Sequence, residues 1–118
     1  MLSSILPKLP MRHVDQTRVW YQHNLEFEVL GDYGNYLIMG KGGLEIHFFE
    51  FTALNPAENY GQVYIRTQDI RSYYQQLLDR QVPIHPNGAL AEKPWGQIEF
   101  SLLDPDHNLL TFGQSTGR

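Results

Sequence analysis

The order of apolar segments predicts an α+β fold built from two βαβββ modules, and two observations carry that prediction. Residues 69–81 place Ile70, Tyr73, Tyr74, Leu77 and Leu78 at i, i+3, i+4, i+7 and i+8, the stripe of an amphipathic helix. On each side of a polar midpoint at residues 52–59, a strand-like stretch leads into a helix and then into three short extended segments. The two halves share no obvious sequence, so the repeat is one of architecture. A unit of about fifty residues keeps one apolar sheet face bare once its helix is docked, so two copies are expected. The chain therefore reads as a single domain, residues 1–118, made of modules 1–55 and 56–118.

Each element has its own reason. Residues 3–11 hold Ile5, Leu6 and Leu9 interrupted by Pro7 and Pro10, which suits an edge strand or one that leaves its own sheet, because proline lacks a ladder donor. Val14 and Asp15 open the first helix, with Asp15 as N-cap and Val14 and Val19 as a hydrophobic staple. Thr17, Trp20, Tyr21, Asn24 and Leu25 then fall on one stripe, and the pair Trp20 and Tyr21 reads as core. Residues 27–30, 36–39 and 44–51 follow as strands, and the short glycine-rich links between them make an antiparallel meander. None of these glycines precedes a helix opening with Lys-Ser/Thr, so none forms a phosphate loop.

In the second half, residues 62–66 alternate as a strand, the helix of residues 69–81 follows, and Pro83 stops it. A short extended piece is expected near Ile84 and His85. Residues 91–114 read as two strands around the turn Asp104-Pro105-Asp106-His107-Asn108. Gln97, Glu99 and Ser101 lie on one face of the first strand, and Ile98, Phe100 and Leu102 on the other. Trp95 stands at the hairpin mouth between Pro94 and Gly96, beside that polar row. A hairpin lining a ligand groove uses both features.

Composition bounds the function. Hydrophobic residues at 42% and charged residues at 19% describe an ordinary globular chain. A formal charge of −4, from 13 acids against 9 bases, argues against nucleic acid as the main partner and mildly favours a cationic ligand. The absence of cysteine excludes disulfides and thiol chemistry. The first residues are too short and too proline-broken for a signal peptide, and no apolar run reaches membrane-spanning length, so a soluble cytoplasmic protein is expected.

Local motifs sharpen the architecture. Leu9-Pro10, Val14-Asp15 and Trp20-Tyr21 resemble the first strand and helix of the vicinal oxygen chelate superfamily, which includes glyoxalase I, extradiol dioxygenases and bleomycin-resistance proteins. Leu25-Glu26-Phe27 resembles its "LGF" lead into the second strand, with Glu26 in place of glycine. His47-Phe48-Phe49 with Leu54 and Pro56 is similar to the "EFF…L-x-P" segment of the bleomycin-resistance branch. Pro94-Trp95-Gly96 through Phe100, with the turn at residues 104–108, resembles that branch's "PWG-x-x-x-F…DP-x-G-N" hairpin, with His107 where the family has glycine.

The resemblance implies where the superfamily's enzymes would carry metal ligands: Leu6, His47, Gln62 and Thr111. An alkyl group, an imidazole, an amide and a hydroxyl offer no negative charge to a divalent ion, so no metal and no cofactor are expected. A makeshift set of His47, Glu45 and Glu99 is the alternative, since Glu45 shares a strand face with His47. For metal-free catalysis the residues offer Ser101 with His47, without a nucleophile elbow, or Glu99 with His47 as acid and base. No catalytic residue is assigned.

What remains is an aromatic and acidic groove: Trp95, Tyr33, Tyr36, Phe49 and Tyr64, with Asp32 and Glu99 as charges, together with His47 and Thr111. Flat rings stack heteroaromatic systems, and nearby carboxylates favour cationic tails. The resemblance implies sequestration of a bleomycin-like antibiotic, a cationic glycopeptide with a planar bithiazole, in grooves at a homodimer interface. It also implies that the proline-containing first strand is an arm exchanged between protomers, with Pro10 at the hinge. The alternatives are a metal-dependent lyase or dioxygenase of the same superfamily, a binding protein for another small metabolite, or a structural dimer with a self-filled groove.

Overall fold

The computed structural model describes residues 1–117. The chain divides into two compact units, one of Met1–Gly61 with Pro105–Asn108, the other of Gln62–Asp104 continuing from Leu109. Each unit is βαβββ.

The first unit contains β1 (Lys8–Met11), α1 (Val14–Leu25), β2 (Glu28–Asp32), β3 (Tyr36–Lys41) and β4 (Leu44–Glu50). Its sheet order is β1-β4-β3-β2. The proline-bearing β1 lies at the edge, as its lost N–H requires, and runs parallel to β4. One sheet face carries Leu9, Met11, Leu37, Met39, Ile46 and Phe48, all buried. Tyr21 of α1 packs on Phe48 at 4.8 Å between ring centroids, so Tyr21 is core as predicted. Trp20 is only half-buried and lines a shallow hollow of about 510 Å³ with Val19, His23 and Pro105.

The start of α1 differs from expectation. His13 is the N-cap and makes no side-chain cap bond, while Asp15 sits in the first turn and pairs with Arg18 at 2.7 Å. Val19 is exposed, so the staple does not form. An ion pair with a residue three positions on competes for the carboxylate that a cap would use. At the other end, Glu26 takes the left-handed conformation, φ 57°, and its N–H and that of Phe27 close the helix onto Gln22 and Tyr21.

The turn Pro105–Asn108 completes this unit. Asp106 accepts from the Arg12 guanidinium at 2.7 Å and from its backbone N–H at 3.1 Å. Fully buried Asn108 donates to the Pro10 carbonyl at 2.9 Å and accepts from Asn59 at 2.8 Å.

The second unit contains β5 (Gln62–Arg66), α2 (Ile70–Asp79), β6 (Ala91–Lys93), β7 (Gln97–Leu103) and β8 (Leu109–Ser115), in sheet order β5-β8-β7-β6. Phe100 and Phe112 stack at 4.9 Å on the helix face, with Tyr73 and Tyr74 of α2 against them. Ile70 and Leu77 are buried, but Leu78 is exposed: the apolar stripe is narrower than the sequence predicts. The helix ends before Pro83. Gln81 adopts φ 60°, and the N–H groups of Gln81 and Val82 bond back to Leu78 and Leu77.

The extended piece expected near Ile84 and His85 is not a strand. The first strand of the meander is instead Ala91–Lys93, which pairs with β7 from Ala91↔Glu99 to Lys93↔Gln97. Residues 91–114 therefore hold three strands, and Trp95 occupies the turn between the first two. Residues 85–88 instead run beside Ser101, with His85 N–H donating to its carbonyl at 2.9 Å.

Candidate functional site

Strand alternation gives each sheet a second face, away from its helix, and there the polar and aromatic candidates collect. In the second unit the register sets Tyr64 beside Thr111 and Thr111 beside Ser101, while Gly113 lies beside Glu99. Tyr64 belongs to β5 and Glu99 to β7, with β8 between them. The Tyr64 ring crosses that strand over Gly113, where any Cβ would collide with the phenol. Its hydroxyl donates to Glu99 Oε2 at 2.8 Å. The indole N–H of Trp95 donates to the same oxygen at 3.0 Å.

Glu99 is thus a carboxylate with only 9% of its surface exposed, held by two donors, while the Trp95 that caps it is 64% exposed. The glycine at position 96, φ 78°, permits the tight turn that folds the indole back. Burial first, then the bond to Glu99 and that carboxylate's charge, hold the Tyr64 phenol above the ordinary tyrosine range, and the nearby Arg66 pulls the other way. The Arg66 guanidinium bonds Gln97 Oε1 and lies 5.1 Å from the Tyr64 ring centroid. Thr111 Oγ1 and Ser101 Oγ are hydrogen-bonded at 3.2 Å. Trp95, Glu99, Ser101 and Thr111 line a small cleft of about 180 Å³, closed on one side by Asn87, Gly88 and Ala89.

In the first unit, Tyr36, His47 and Phe49 share the face opposite the helix. The Tyr36 hydroxyl lies 2.6 Å from His47 Nδ1, and His47 Nε2 lies 2.6 Å from Glu45 Oε2. The Lys8 ammonium stands 5.4 Å from the Tyr36 ring centroid and 6.0 Å from that of Phe49. Asp32 and Tyr33 are elsewhere, at the β2–β3 turn. Asp32 pairs with Arg18 at 2.9 Å and accepts from the Gly34 N–H at 3.0 Å. Tyr33 is 70% exposed, with its ring against Gly31.

The nine candidates therefore fall into three places: four on the second unit's open face, three on the first unit's, two at a turn. Reading the sequence missed Lys8, Arg66, Gly113 and the residue 87–89 loop. The alternation of β5, which puts Arg66 on the same face as Tyr64, was the available signal for one of them.

The positions matching the superfamily's metal ligands do not fit a cation. Leu6 is exposed and has no donor atom, Gln62 is a neutral amide, Thr111 is bonded to Ser101, and both ring nitrogens of His47 are engaged. Glu99 is held by Trp95 and Tyr64. Among the described residues no three His, Cys, Asp or Glu side chains converge as a metal site. No helix among those residues is long and apolar enough to cross a membrane.

Comparison with known proteins gives a consistent picture. The profile of the glyoxalase-like domain family matches residues 5–117. A bleomycin resistance protein of Klebsiella pneumoniae is 27% identical over 120 residues, covering 98% of this chain and 94% of the relative. Among solved structures, a bleomycin-binding protein complexed with bleomycin is 26% identical with TM-score 0.86, covering 97% of this chain and 99% of the other. The bleomycin resistance determinant encoded on transposon Tn5 is also 26% identical, with TM-score 0.87 and coverage of 97% and 98%.

Proposed function

The chain belongs to the glyoxalase-like domain family, in its bleomycin-resistance branch, and from that premise we propose that it binds and sequesters a bleomycin-like antibiotic in the cytoplasm without altering it chemically. The observation that carries the proposal is Trp95, a mostly exposed indole fixed edge-on by its bond to a buried carboxylate. A ring held this way presents a preorganised face to a planar heteroaromatic system, so little rotamer entropy is lost on stacking. Glu99 beneath it, with the net charge of −4, favours a cationic ligand. Tyr64, Thr111, Tyr36, His47, Phe49, Tyr33 and Asp32 are the further contacts proposed.

The same reading includes a homodimer with two equivalent grooves, each made by two protomers. Support comes from the residues ahead of β1: Leu2, Ile5 and Leu6 are exposed apolar side chains that an exchanged arm would bury, while Leu9 and Pro10 stay paired with β4 of their own chain, so the arm ends before the expected hinge at Pro10. Light scattering on the full chain and on a variant lacking residues 1–6 tests this part, with a monomeric variant expected.

Titration with bleomycin, followed by tryptophan fluorescence, tests the main proposal. Quenching is expected in the native protein and is lost in Trp95→Ala, even though Trp20 remains. Turnover of hemithioacetals or catechols, or no response to any cationic glycopeptide, overturns it.

A further inference from the structure

The hydrogen-bond chain Glu45–His47–Tyr36 carries an inference about what the ligand must offer. We propose that His47 is a positioning residue that sets the polarity of the Tyr36 hydroxyl, so that the first unit's open face presents an acceptor and selects an N–H donor group of the ligand. The proposal rests on the reading that Tyr36 meets the ligand.

Proton placement follows by elimination. An ionised carboxylate only accepts, so the 2.6 Å contact with Glu45 Oε2 requires the hydrogen on His47 Nε2. A neutral imidazole then has a bare Nδ1, which only accepts. The 2.6 Å contact with Tyr36 therefore uses the tyrosine's single proton. Its oxygen keeps only lone pairs for anything outside, and an ammonium, guanidinium or amide N–H is the group that satisfies them. The chain is half-buried, with 20% of the His47 side chain and 35% of that of Glu45 exposed, so it is ordered yet reachable.

Unit two repeats the logic without the imidazole. Tyr64 donates directly to Glu99, and its outward oxygen is likewise an acceptor. The charged groups facing the imidazole are Lys8 on β1, directly opposite in register, and Glu45 on its own strand.

Two measurements on the full chain test the proposal. The ring nitrogen–proton correlation of His47 by NMR, without ligand, is expected to show the Nε2–H tautomer at neutral pH. Bleomycin affinity at one fixed pH is expected to fall roughly fivefold to tenfold in Tyr36→Phe and in His47→Phe, the scale of one hydrogen bond, and to be restored in His47→Gln, whose amide both accepts and donates. Native affinity in Tyr36→Phe overturns the proposal, as does an Nδ1–H or doubly protonated ring whether or not the drug binds. The Nε2–H tautomer in a protein that does not bind bleomycin supports the hydroxyl polarity and overturns the identity of the ligand instead.

Discussion

The indole N–H of Trp95 and the carboxylate of Glu99, four residues apart, meet at 3.0 Å across the mouth of the β6–β7 hairpin. The bond separates two roles that a ligand stack would otherwise confound, the ring's face and its orientation. Trp95→Phe keeps an aromatic face and loses the bond, and Glu99→Ala keeps the indole and loses its anchor. Both are expected to weaken bleomycin binding roughly tenfold, against complete loss in Trp95→Ala. Glu99→Ala should also cost about 1–2 kcal/mol in urea unfolding, because two donors lose their acceptor. Unchanged affinity in both variants would mean that the anchor is irrelevant to binding.

The same carboxylate governs Tyr64. Since its phenol ionises above the ordinary tyrosine value, the folded protein holds that proton more tightly than the unfolded chain does. The stability contributed is fully present below the unfolded value of about 10. It is lost as pH rises through the higher folded value. Phenolate absorbance, taken as native minus Tyr64→Phe, should show a late-ionising tyrosine that moves earlier in Glu99→Gln. A Tyr64 signal coincident with free tyrosine contradicts the network.

Gly113 is the floor under that phenol. Gly113→Ala places a methyl group where the Tyr64 hydroxyl lies, so the ring must leave Glu99. The expected cost is about 1–3 kcal/mol of overpacking and lost bonding, with the Tyr64 titration reverting toward normal. Retention of the late titration in this variant would show that the ring reaches Glu99 by another path.

Glu26 and His107 both stand where the family motif has glycine, and both keep the left-handed backbone, at φ 57° and 63°. A side chain in that region costs about 1–2 kcal/mol, part of which glycine returns as unfolded-state entropy. Glu26→Gly and His107→Gly are each expected to raise thermal stability, by at most about 1 kcal/mol. A fall in midpoint for Glu26→Gly would assign net worth to its 3.7 Å pair with Lys41.

Much of this fold follows from periodicity. The α2 stripe, the proline-marked edge strand and the alternation of β7 each depend on neighbours within a few residues. The β6 strand escaped because Ala-Glu-Lys has no apolar pattern and exists only by pairing with β7. The cap of α2 is likewise supplied from afar: Ile70 N–H is satisfied at 2.8 Å by the side chain of Gln114 rather than by Asp69. In the candidate site, Trp95 and Glu99 were legible as an exposed ring beside a polar row. Tyr64 as their partner was not, because its approach depends on a strand inserted between β5 and β7 and on the missing side chain at Gly113.

The DPDHN turn has a consequence for synthesis on the ribosome. Asn108 and Asp106 hold Pro10, Arg12 and Asn59, so the first unit waits for residues translated after β5, α2, β6 and β7. A nascent chain stalled at Gly61 would have its first four strands and no latch. Fragment 1–61 made alone should therefore exchange its amide hydrogens rapidly, and adding fragment 62–118 should protect them. The order in which this protein is made and the order in which it closes are different.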